Sequence, residues 1–413
     1  MNRYRSNPTS ATAQRPEAGR SGRPSRPRSI LIAHPSSDLY GSDRVMVETV
    51  TAMVNGGWAV HVTMPTPGPL VAEVEKRGGV VTFTPAPVLR KAALAPKGFL
   101  KLVGQTLRAV PPSIRLIRAS DARLVYVSTL TIPLWTILGR VLGRPVVCHV
   151  HESERSAPLL LRRILALPLL LANRVIVNSQ FSRSVLIDSY RRLAGKSEVI
   201  YNAVAGPTVV AAPRPVLDRP LRILFIGRLS PRKGPQVAVE IVALLRDRGW
   251  QARLDIVGSV FEGYEWFEDQ LRERIGELGI SDLVSLHGFQ PDVWANLSGC
   301  DLVLVPSQGD EPFGNTAVEA VLAARPVIVS TSSGLTEAVA GYACAQQVPA
   351  GELTAWVEAV VKVGDNWAGF REAAIADAQI AAVRHSPTLY QELIEHRLSD
   401  CANRSNELTP TAP

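Results

Sequence analysis

The stretch LRILFIGRLSPRKG, residues 221–234, begins a second copy of a pattern that first occurs as RSILIAHP at residues 28–35. In both places a short apolar run is followed by an amphipathic helical segment, and further strand-like and helix-like segments alternate behind it. Short apolar strands that alternate with helices are typical of a parallel sheet with crossover helices. We therefore predict an α/β protein made of two successive, doubly wound, Rossmann-like halves.

The length supports the same division, because single cores stop growing at about 250–300 residues and this chain has 413. Ligands of such sheets bind beyond the carboxyl ends of the strands, so two facing halves predict a site in the cleft between them. The predicted organisation is a disordered basic tail, an N-terminal domain, a linker, a C-terminal domain, a C-terminal helix and a polar tail (residues 1–28, 29–204, 205–220, 221–380, 381–400 and 401–413).

The net charge of +8 is distributed unevenly along a composition typical of a soluble globular protein, 46% hydrophobic and 20% charged. Residues 1–28 contain seven arginines and one glutamate, and residues 78–120 contain seven basic residues and no acidic one. The first of these stretches lacks large apolar side chains, so we expect it to be disordered. The arginine-rich tail could contact nucleic acid, but without aromatic interleaving or a binding module no nucleic-acid partner is expected.

The basic residues between positions 90 and 118 suggest a possible partner, an anionic membrane surface. Three cations recur there at a spacing of seven (Lys101, Arg108 and Arg115). A basic amphipathic helix attracts anionic lipid, and an ordinary solvated face is the open alternative. Pro111–Pro112 should break this helix. The apolar segment at residues 157–177 could join the surface, but its position between two strands favours a packed crossover helix.

Several classes of protein are not expected. The N-terminus lacks an apolar signal segment, and no uncharged stretch reaches the ~20 residues that span a bilayer. The four cysteines are scattered without metal-ligand spacing. There is no GxGxxG, no complete P-loop and no Asp-x-Asp pair. We therefore expect a cytoplasmic protein without cofactor or metal, and attachment to the inner face of the plasma membrane is left open.

EPFGNTAVE, residues 311–319, places two glutamates eight positions apart. Asn315 is the predicted N-cap of a helix from Thr316 to Ala324. The amides of its first turn, with Gly314 allowing close approach of the backbone, form a predicted anion site. The glutamates on either side could accept hydrogen bonds from neutral hydroxyls. A phosphate flanked by hydroxyl-bearing rings, as in a nucleotide sugar, fits this pattern.

Cations follow the first strand of the second half. In GRLSPRKG, residues 227–234, Arg228 offers a forked set of donors and Lys233 a compact charge, and both suit a diphosphate. Gly227 and Gly234 allow the loop to turn tightly. Without a metal, these cations would stabilise the charge that develops on a departing phosphate.

Taken together, these motifs resemble those of the family-4 retaining glycosyltransferases of the GT-B fold, over residues 29–398. The family's two-glutamate pattern matches Glu311 and Glu319, and its Gly-Arg…Lys-Gly loop matches residues 227–234. Its glycine-rich loop after the first strand matches Gly41 and Arg44, although Tyr40 replaces the first glycine. Its cleft histidine matches His151, and Ala324 replaces a usual glycine before Arg-Pro.

The resemblance implies a role for each matched residue. Arg228, Lys233 and Gly227 would bind the donor diphosphate, and Glu319 would hold the ribose hydroxyls. Glu311 would contact the transferred sugar, helped by the backbone near Phe313, Gly314, Asn315 and Thr316. Gly41 and Arg44 would lie near the phosphates and the acceptor, and His151 near the transferred sugar. The resemblance implies front-face attack without a side-chain nucleophile, and the C-terminal helix is expected to return to the N-terminal domain.

Some positions remain open. His149 competes with His151 because alternate residues of a strand share a face, His34 fits a structural role, and Glu337 fits a helix cap as well as a nucleotide contact. The predicted function is retaining, metal-independent transfer of a sugar from a nucleotide diphosphate sugar to a saccharide or lipid-linked saccharide, in cell-envelope or exopolysaccharide biosynthesis. The alternatives are a nucleotide-sugar epimerase, a disaccharide synthase or a catalytically silent nucleotide-sugar-binding protein.

Overall fold

The computed structural model describes residues 28–39, 41–89, 96–261 and 263–407. The predictions for the tail at residues 1–27, for Tyr40, for Arg90 and Lys91, and for residues 408–413 lie outside the described residues.

The N-terminal half contains a seven-stranded, wholly parallel sheet in the order β3-β2-β1-β4-β5-β6-β7. Its strands are β1 (Ser29–Ala33), β2 (Ala59–Met64), β3 (Val80–Phe83), β4 (Leu124–Val127), β5 (Val146–Val150), β6 (Arg174–Val177) and β7 (Ser197–Val199). Its helices are α1 (Gly41–Asn55), α2 (Pro69–Lys76), α3 (Pro96–Ala119), α4 (Pro133–Val141), α5 (Leu159–Ala166) and α6 (Gln180–Ser189).

The C-terminal half repeats this plan with a six-stranded parallel sheet in the order β10-β9-β8-β11-β12-β13. The strands are β8 (Leu221–Ile226), β9 (Ala252–Val257), β10 (Val284–Leu286), β11 (Leu302–Val305), β12 (Val327–Ser330) and β13 (Ala345–Val348). The helices are α7 (Pro235–Asp247), α8 (Glu265–Glu277), α9 (Trp294–Gly299), α10 (Asn315–Leu322), α11 (Ser333–Ala338), α12 (Leu353–Asp365), α13 (Trp367–Arg384) and α14 (Pro387–Glu407). The prediction of two Rossmann-like domains is confirmed.

The burial of the central strands explains why continuous apolar runs in the sequence predicted a parallel sheet. Every residue of β1, β4, β5, β11 and β12 is buried. A parallel sheet covered by helices on both faces requires apolar side chains on both faces, so its strands read as continuous apolar runs. In both sheets the strand order reverses beside the first strand, between β1 and β4 and between β8 and β11. Those switch points are where ligands of doubly wound sheets bind.

The last helix, α14, returns to the N-terminal half as expected. Tyr390, Ile394 and Leu398 are buried in the same apolar cluster as residues of α1 and β1. The hydroxyls of Tyr390 and Thr49 are hydrogen-bonded at 2.7 Å. The helix extends to Glu407, past residue 400, where it was expected to end.

The linker between the halves, residues 205–220, contains no helix or strand. It is held by side chains rather than by backbone pairing. Arg214 donates from Nε and Nη2 to the buried Asp301 at 2.9 and 2.5 Å. The buried guanidinium of Arg325 donates to the carbonyl of Ala211 at 2.9 Å. These bonds attach the linker to the C-terminal sheet.

The structure corrects the prediction that Pro111–Pro112 breaks a helix, because α3 continues through both prolines. A proline removes the bond to the carbonyl four residues earlier, here those of Leu107 and Arg108. Both of these residues are exposed, so water can hydrate their carbonyls. The packed-helix interpretation of residues 157–177 is also only partly correct. Ala166 and Leu169 are buried, but four apolar side chains of this segment are 44–72% exposed (Leu160, Ile164, Leu167 and Leu171).

Candidate active site

A cleft of about 1140 Å³ separates the two sheets at the carboxyl ends of their strands. All of the predicted site residues line it (Gly41, Arg44, His151, Gly227, Arg228, Lys233, Glu311, Phe313, Gly314, Asn315, Thr316 and Glu319). Gly41 and Glu319, which are 278 positions apart in sequence (319 − 41), thus meet at one site, as the two facing switch points require.

Glu311 is the centre of a charged network on the C-terminal side. Its side chain is buried, and it accepts hydrogen bonds from Lys233 Nζ at 2.9 Å, Arg232 Nη1 at 2.9 Å and Ser307 Oγ at 3.0 Å. Burial alone would raise the pKa of Glu311, but the charges of Lys233 and Arg232 outweigh it and hold this pKa below its usual value. Glu311 is therefore ionised at neutral pH. Sequence reasoning missed Arg232, although it lies between the two cations chosen from the same loop.

The loop after β8 brings Arg228 to the cleft. Its guanidinium lies over the ring of Phe261, 3.2 Å from the ring centroid. The neighbouring Gly227 packs against Gly258, which follows β9 and also lines the cleft. A Cβ on Gly258 would lie 1.8 Å from the Gly227 carbonyl oxygen, so only glycine fits there. Sequence reasoning did not select Gly258, and its position directly after a strand was the available signal.

The start of α10 differs from the prediction. Gly314, with φ of 127°, is the N-cap, and Asn315 is the first helical residue rather than the cap. The side chain of Asn315 is engaged elsewhere, because its Oδ1 accepts a hydrogen bond from Asn202 Nδ2 at 2.9 Å. The helix ends at Leu322, and Ala324 has the left-handed φ of 56° that a glycine would adopt without strain.

Glu319 lies one turn inside α10, on the cleft side. Its carboxylate has no hydrogen bond or ion pair within the described ranges. Burial raises the pKa of Glu319, and the charges of Arg44 and Lys233 oppose this only in part. The two glutamates of the motif therefore differ. The negative charge of Glu311 is paired with two cations, whereas Glu319 keeps its oxygens available for hydroxyl donors.

On the N-terminal side, His151 follows β5 and lines the cleft. Both of its ring nitrogens are buried without a hydrogen-bond partner among the residues that the structure describes. Burial and the nearby His34 lower its pKa to about 3, against an opposing effect of Asp43, so His151 is neutral at pH 7. His149 lies behind it, fully buried, with its ring centroid 4.0 Å away and its Nδ1 2.6 Å from the Tyr126 hydroxyl.

The other two open positions have structural partners. Both ring nitrogens of the buried His34 are engaged, Nε2 with Asp43 at 2.8 Å and Nδ1 with Ser128 at 2.5 Å. Glu337 is a helix cap, because it accepts hydrogen bonds from the first backbone amides of α6, those of Gln180 at 2.8 Å and Phe181 at 3.2 Å. This cap joins the C-terminal half to a helix of the N-terminal half.

Further bonds close the cleft on both sides. Asp310, next to Glu311, accepts hydrogen bonds from the amides of Arg155 and Ser156 at 2.7 and 3.1 Å. Arg44 Nη2 donates to the Pro291 carbonyl at 2.5 Å. A Cβ on Gly41 would lie 2.9 Å from Asn315 Nδ2, so the first turn of α1 approaches the start of α10. The loop that carries Glu311 therefore also holds the two halves together.

The described ranges contain no group of three His, Cys, Asp or Glu side chains that could hold a metal ion. Over the same ranges, no helix has the length and apolarity needed to cross a bilayer.

Comparison with known proteins places this geometry in a family. Residues 40–205 match Glycosyltransferase Family 4, and residues 213–379 match Glycosyl transferases group 1. The amylovoran biosynthesis glycosyltransferase AmsK of Erwinia amylovora is 29% identical over 45% of this chain and 44% of its own length. A D-inositol 3-phosphate glycosyltransferase of Mycolicibacterium gilvum is 30% identical over 46% of this chain and 44% of its own length.

The chain thus spans less than half the length of these curated relatives. Among solved structures, HepE of Anabaena in complex with UDP-glucose has a TM-score of 0.74 at 22% identity, covering 90% of this chain and 99% of that one. At that identity the likeness bears on the fold alone. With both halves matched by family and the whole by fold, the chain belongs to the family-4 glycosyltransferases and has the GT-B fold.

Proposed function

We propose that this enzyme transfers a sugar from a nucleotide diphosphate sugar, without a metal and with retention of configuration, to a saccharide or lipid-linked saccharide. The observation that carries the proposal is the convergence of Arg228, Lys233 and the start of α10 on one cleft, with Glu311 and Glu319 on either side. Cations and first-turn amides suit a pyrophosphate, and carboxylates suit the hydroxyls of the sugars at its two ends.

Each side chain has a proposed role in binding the donor. Glu319, with both oxygens available, accepts hydrogen bonds from the ribose hydroxyls. Glu311 is ionised, and a carboxylate has about four lone-pair sites, so it can accept a sugar hydroxyl beside its present partners. Lys233 has three donors and can bind the diphosphate while keeping its bond to Glu311.

In the proposed reaction, the acceptor oxygen attacks the anomeric carbon from the face that the diphosphate leaves. The bond from the anomeric carbon to the phosphate oxygen breaks, and the acceptor proton passes to the departing phosphate. Arg228 and Lys233 stabilise the charge that develops on that phosphate, which is the role a metal would otherwise fill. His151 is neutral at pH 7, so it can offer a hydrogen bond to the sugar without adding charge. No side-chain nucleophile is assigned.

The proposed setting is cell-envelope or exopolysaccharide biosynthesis. It is supported by the name of one relative, an amylovoran biosynthesis glycosyltransferase. The name of the other relative, a D-inositol 3-phosphate glycosyltransferase, adds a phosphorylated acceptor as a class to test.

We also propose that α3 attaches the enzyme to an anionic membrane surface. Leu100, Val103 and Leu107 recur at helical spacing and are exposed, Leu100 to 72%. The same helix also exposes five cations (Lys97, Lys101, Arg108, Arg115 and Arg118). Each cation near an anionic membrane contributes about 1 kcal/mol of attraction.

A panel of nucleotide sugars tests the donor. A donor present at about 100 times its Kd stabilises the fold by about 2.7 kcal/mol, which raises Tm by about 5–10 °C at about 2–4 °C per kcal/mol. We expect one base and sugar to give this shift, Glu319→Ala to abolish it, and EDTA to leave both the shift and turnover unchanged. Loss of turnover in EDTA would contradict the metal-free reaction. Donor binding without turnover on any saccharide or lipid-linked acceptor would favour a silent binding protein.

A further inference from the structure

Unpartnered polar atoms concentrate along one wall of the cleft, between the end of β5 and α5. Besides His151, these are Oγ of Ser153 and Nε and Nη1 of Arg162, which are buried and have no hydrogen-bond partner within the described residues. All three side chains line the cleft. A guanidinium stays charged in proteins, and burying its donors without partners is costly. Arg162 is therefore placed to meet an anion.

Apolar side chains surround this charge. Leu161 and Leu165, on either side of Arg162 in α5, line the same wall, as does Leu130. Glu152 and Glu154 also line it, but neither bonds to Nε or Nη1 of Arg162. The Glu152 carboxylate is occupied by Thr129 Oγ1 and by the amides of Leu130 and His151. The subsite thus combines one available positive charge with an apolar lining.

The same segment has a second apolar face that is exposed. Leu160, Ile164, Leu167 and Leu171 recur at spacings of four, three and four, and Leu160 is 72% exposed. Arg163, also exposed, lies between them. A helix of a globular protein usually buries such a stripe, so an exposed one indicates a surface for apolar partners. In this segment, one face lines the cleft and the adjacent face meets the exterior.

We propose that Arg162 binds the phosphate group of a lipid-linked acceptor, whose first hydrocarbon units lie on the wall of Leu130, Leu161 and Leu165 and whose tail leaves along the exposed stripe of residues 160–171. A water-soluble sugar phosphate carries the same phosphate chemistry, but it would use neither the apolar wall nor the exposed stripe. The proposal rests on the proposed function, because it makes this wall the acceptor side of the same cleft.

The test compares four probes by their binding to the full chain: farnesyl phosphate, farnesol, glucose 1-phosphate and inorganic phosphate. We expect farnesyl phosphate to bind the wild type at least tenfold more tightly than any of the others. Arg162→Gln should weaken the binding of farnesyl phosphate by at least about tenfold, as expected for loss of a charge-assisted hydrogen bond. The affinity for farnesol should not change. Arg162→Lys should restore part of the affinity. Arg191→Gln, at an exposed arginine that lies outside both the cleft and the stripe, is the matched control and should bind like the wild type.

Equal binding of farnesyl phosphate to the wild type and Arg162→Gln would overturn the proposal. If Arg162→Gln weakened the binding of farnesol as much as that of farnesyl phosphate, the proposal would also fail. Arg162 would then only hold the apolar side chains of the wall in place. Inorganic phosphate or glucose 1-phosphate binding as tightly as farnesyl phosphate would overturn the lipid assignment in favour of a soluble phosphorylated acceptor. Thermal stabilisation by nucleotide sugars, measured on the same samples, tests the proposed function separately, since it does not involve Arg162.

Discussion

Replacing Glu311 with glutamine removes one buried negative charge and keeps the shape of the side chain. The carboxylate is bonded to Lys233 and Arg232, each at 2.9 Å, and the residue is 4% exposed. A hydrogen bond to a charged group contributes about 1.5–3 kcal/mol. Because the two cations are 27% and 46% exposed, solvent screens them. We therefore expect a total loss of about 2 kcal/mol at pH 7, or about 4–8 °C in Tm.

The effect of Glu311→Gln should depend on pH in one direction. The native pKa of Glu311 is lowered, whereas the unfolded value is about 4.3. The ionised carboxylate therefore stabilises the fold above that value, and this contribution is lost as the pH falls through the native pKa. The difference in free energy of unfolding between wild type and variant should have its largest value at pH 6–7 and become smaller below about pH 4.

Glu319→Gln is the matched control, because it removes a carboxylate of the same motif whose pKa is shifted the other way. Burial raises the pKa of Glu319, so the stability that its neutral form provides is lost as the pH rises through the native value. This variant should have a higher free energy of unfolding than the wild type at pH 7, and the gain should vanish in acid.

Urea unfolding of both variants and the wild type at pH 3, 4, 5, 6 and 7, followed by circular dichroism, measures these differences. Equal destabilisation by the two substitutions at pH 7, or a loss in Glu311→Gln that stays constant down to pH 3, would refute the reasoning.

Three further outcomes are expected. Gly314→Ala should lower the free energy of unfolding by about 1–3 kcal/mol, because its Cβ would lie 2.6 Å from Leu335 Cδ2 at a φ of 127°; an unchanged Tm would contradict this contact. Glu337→Ala should speed hydrogen exchange at the first two amides of α6 and cost about 0.5–2 kcal/mol, and exchange at the wild-type rate would show that the cap is dispensable. Leu100→Glu should weaken binding to vesicles that contain anionic phospholipid, whereas Val209→Glu, at a linker site that is 80% exposed, should not; equal binding by both variants would argue against α3 as the membrane surface.

The fold could be predicted from sequence where burial on both faces forces apolar residues into continuous runs, as in β1 and β11. The edge strands β7 and β13 are harder to predict, because their side chains are largely half-buried and form no such run. The path of α3 through Pro111 and Pro112 depends on solvent at the freed carbonyls, which local propensity does not report.

The site could be predicted where one short segment carries the chemistry, as with Glu311, Glu319 and Lys233. It could not be predicted where the partner comes from the other half of the chain. Glu337 is a cap only because α6 lies against it, and Asn315 is not a cap because Asn202 engages its side chain. Such contacts exist only after the two halves meet.

The proposed binding of the donor pyrophosphate by Lys233 and its neighbours is tested by titration calorimetry with the nucleoside diphosphate of the preferred donor and with the corresponding monophosphate. The wild type should bind the diphosphate at least about tenfold more tightly than the monophosphate. Lys233→Ala should remove most of that preference and leave the affinity for the monophosphate nearly unchanged. If Lys233→Ala keeps the full preference for the diphosphate, the pyrophosphate is not held where we place it.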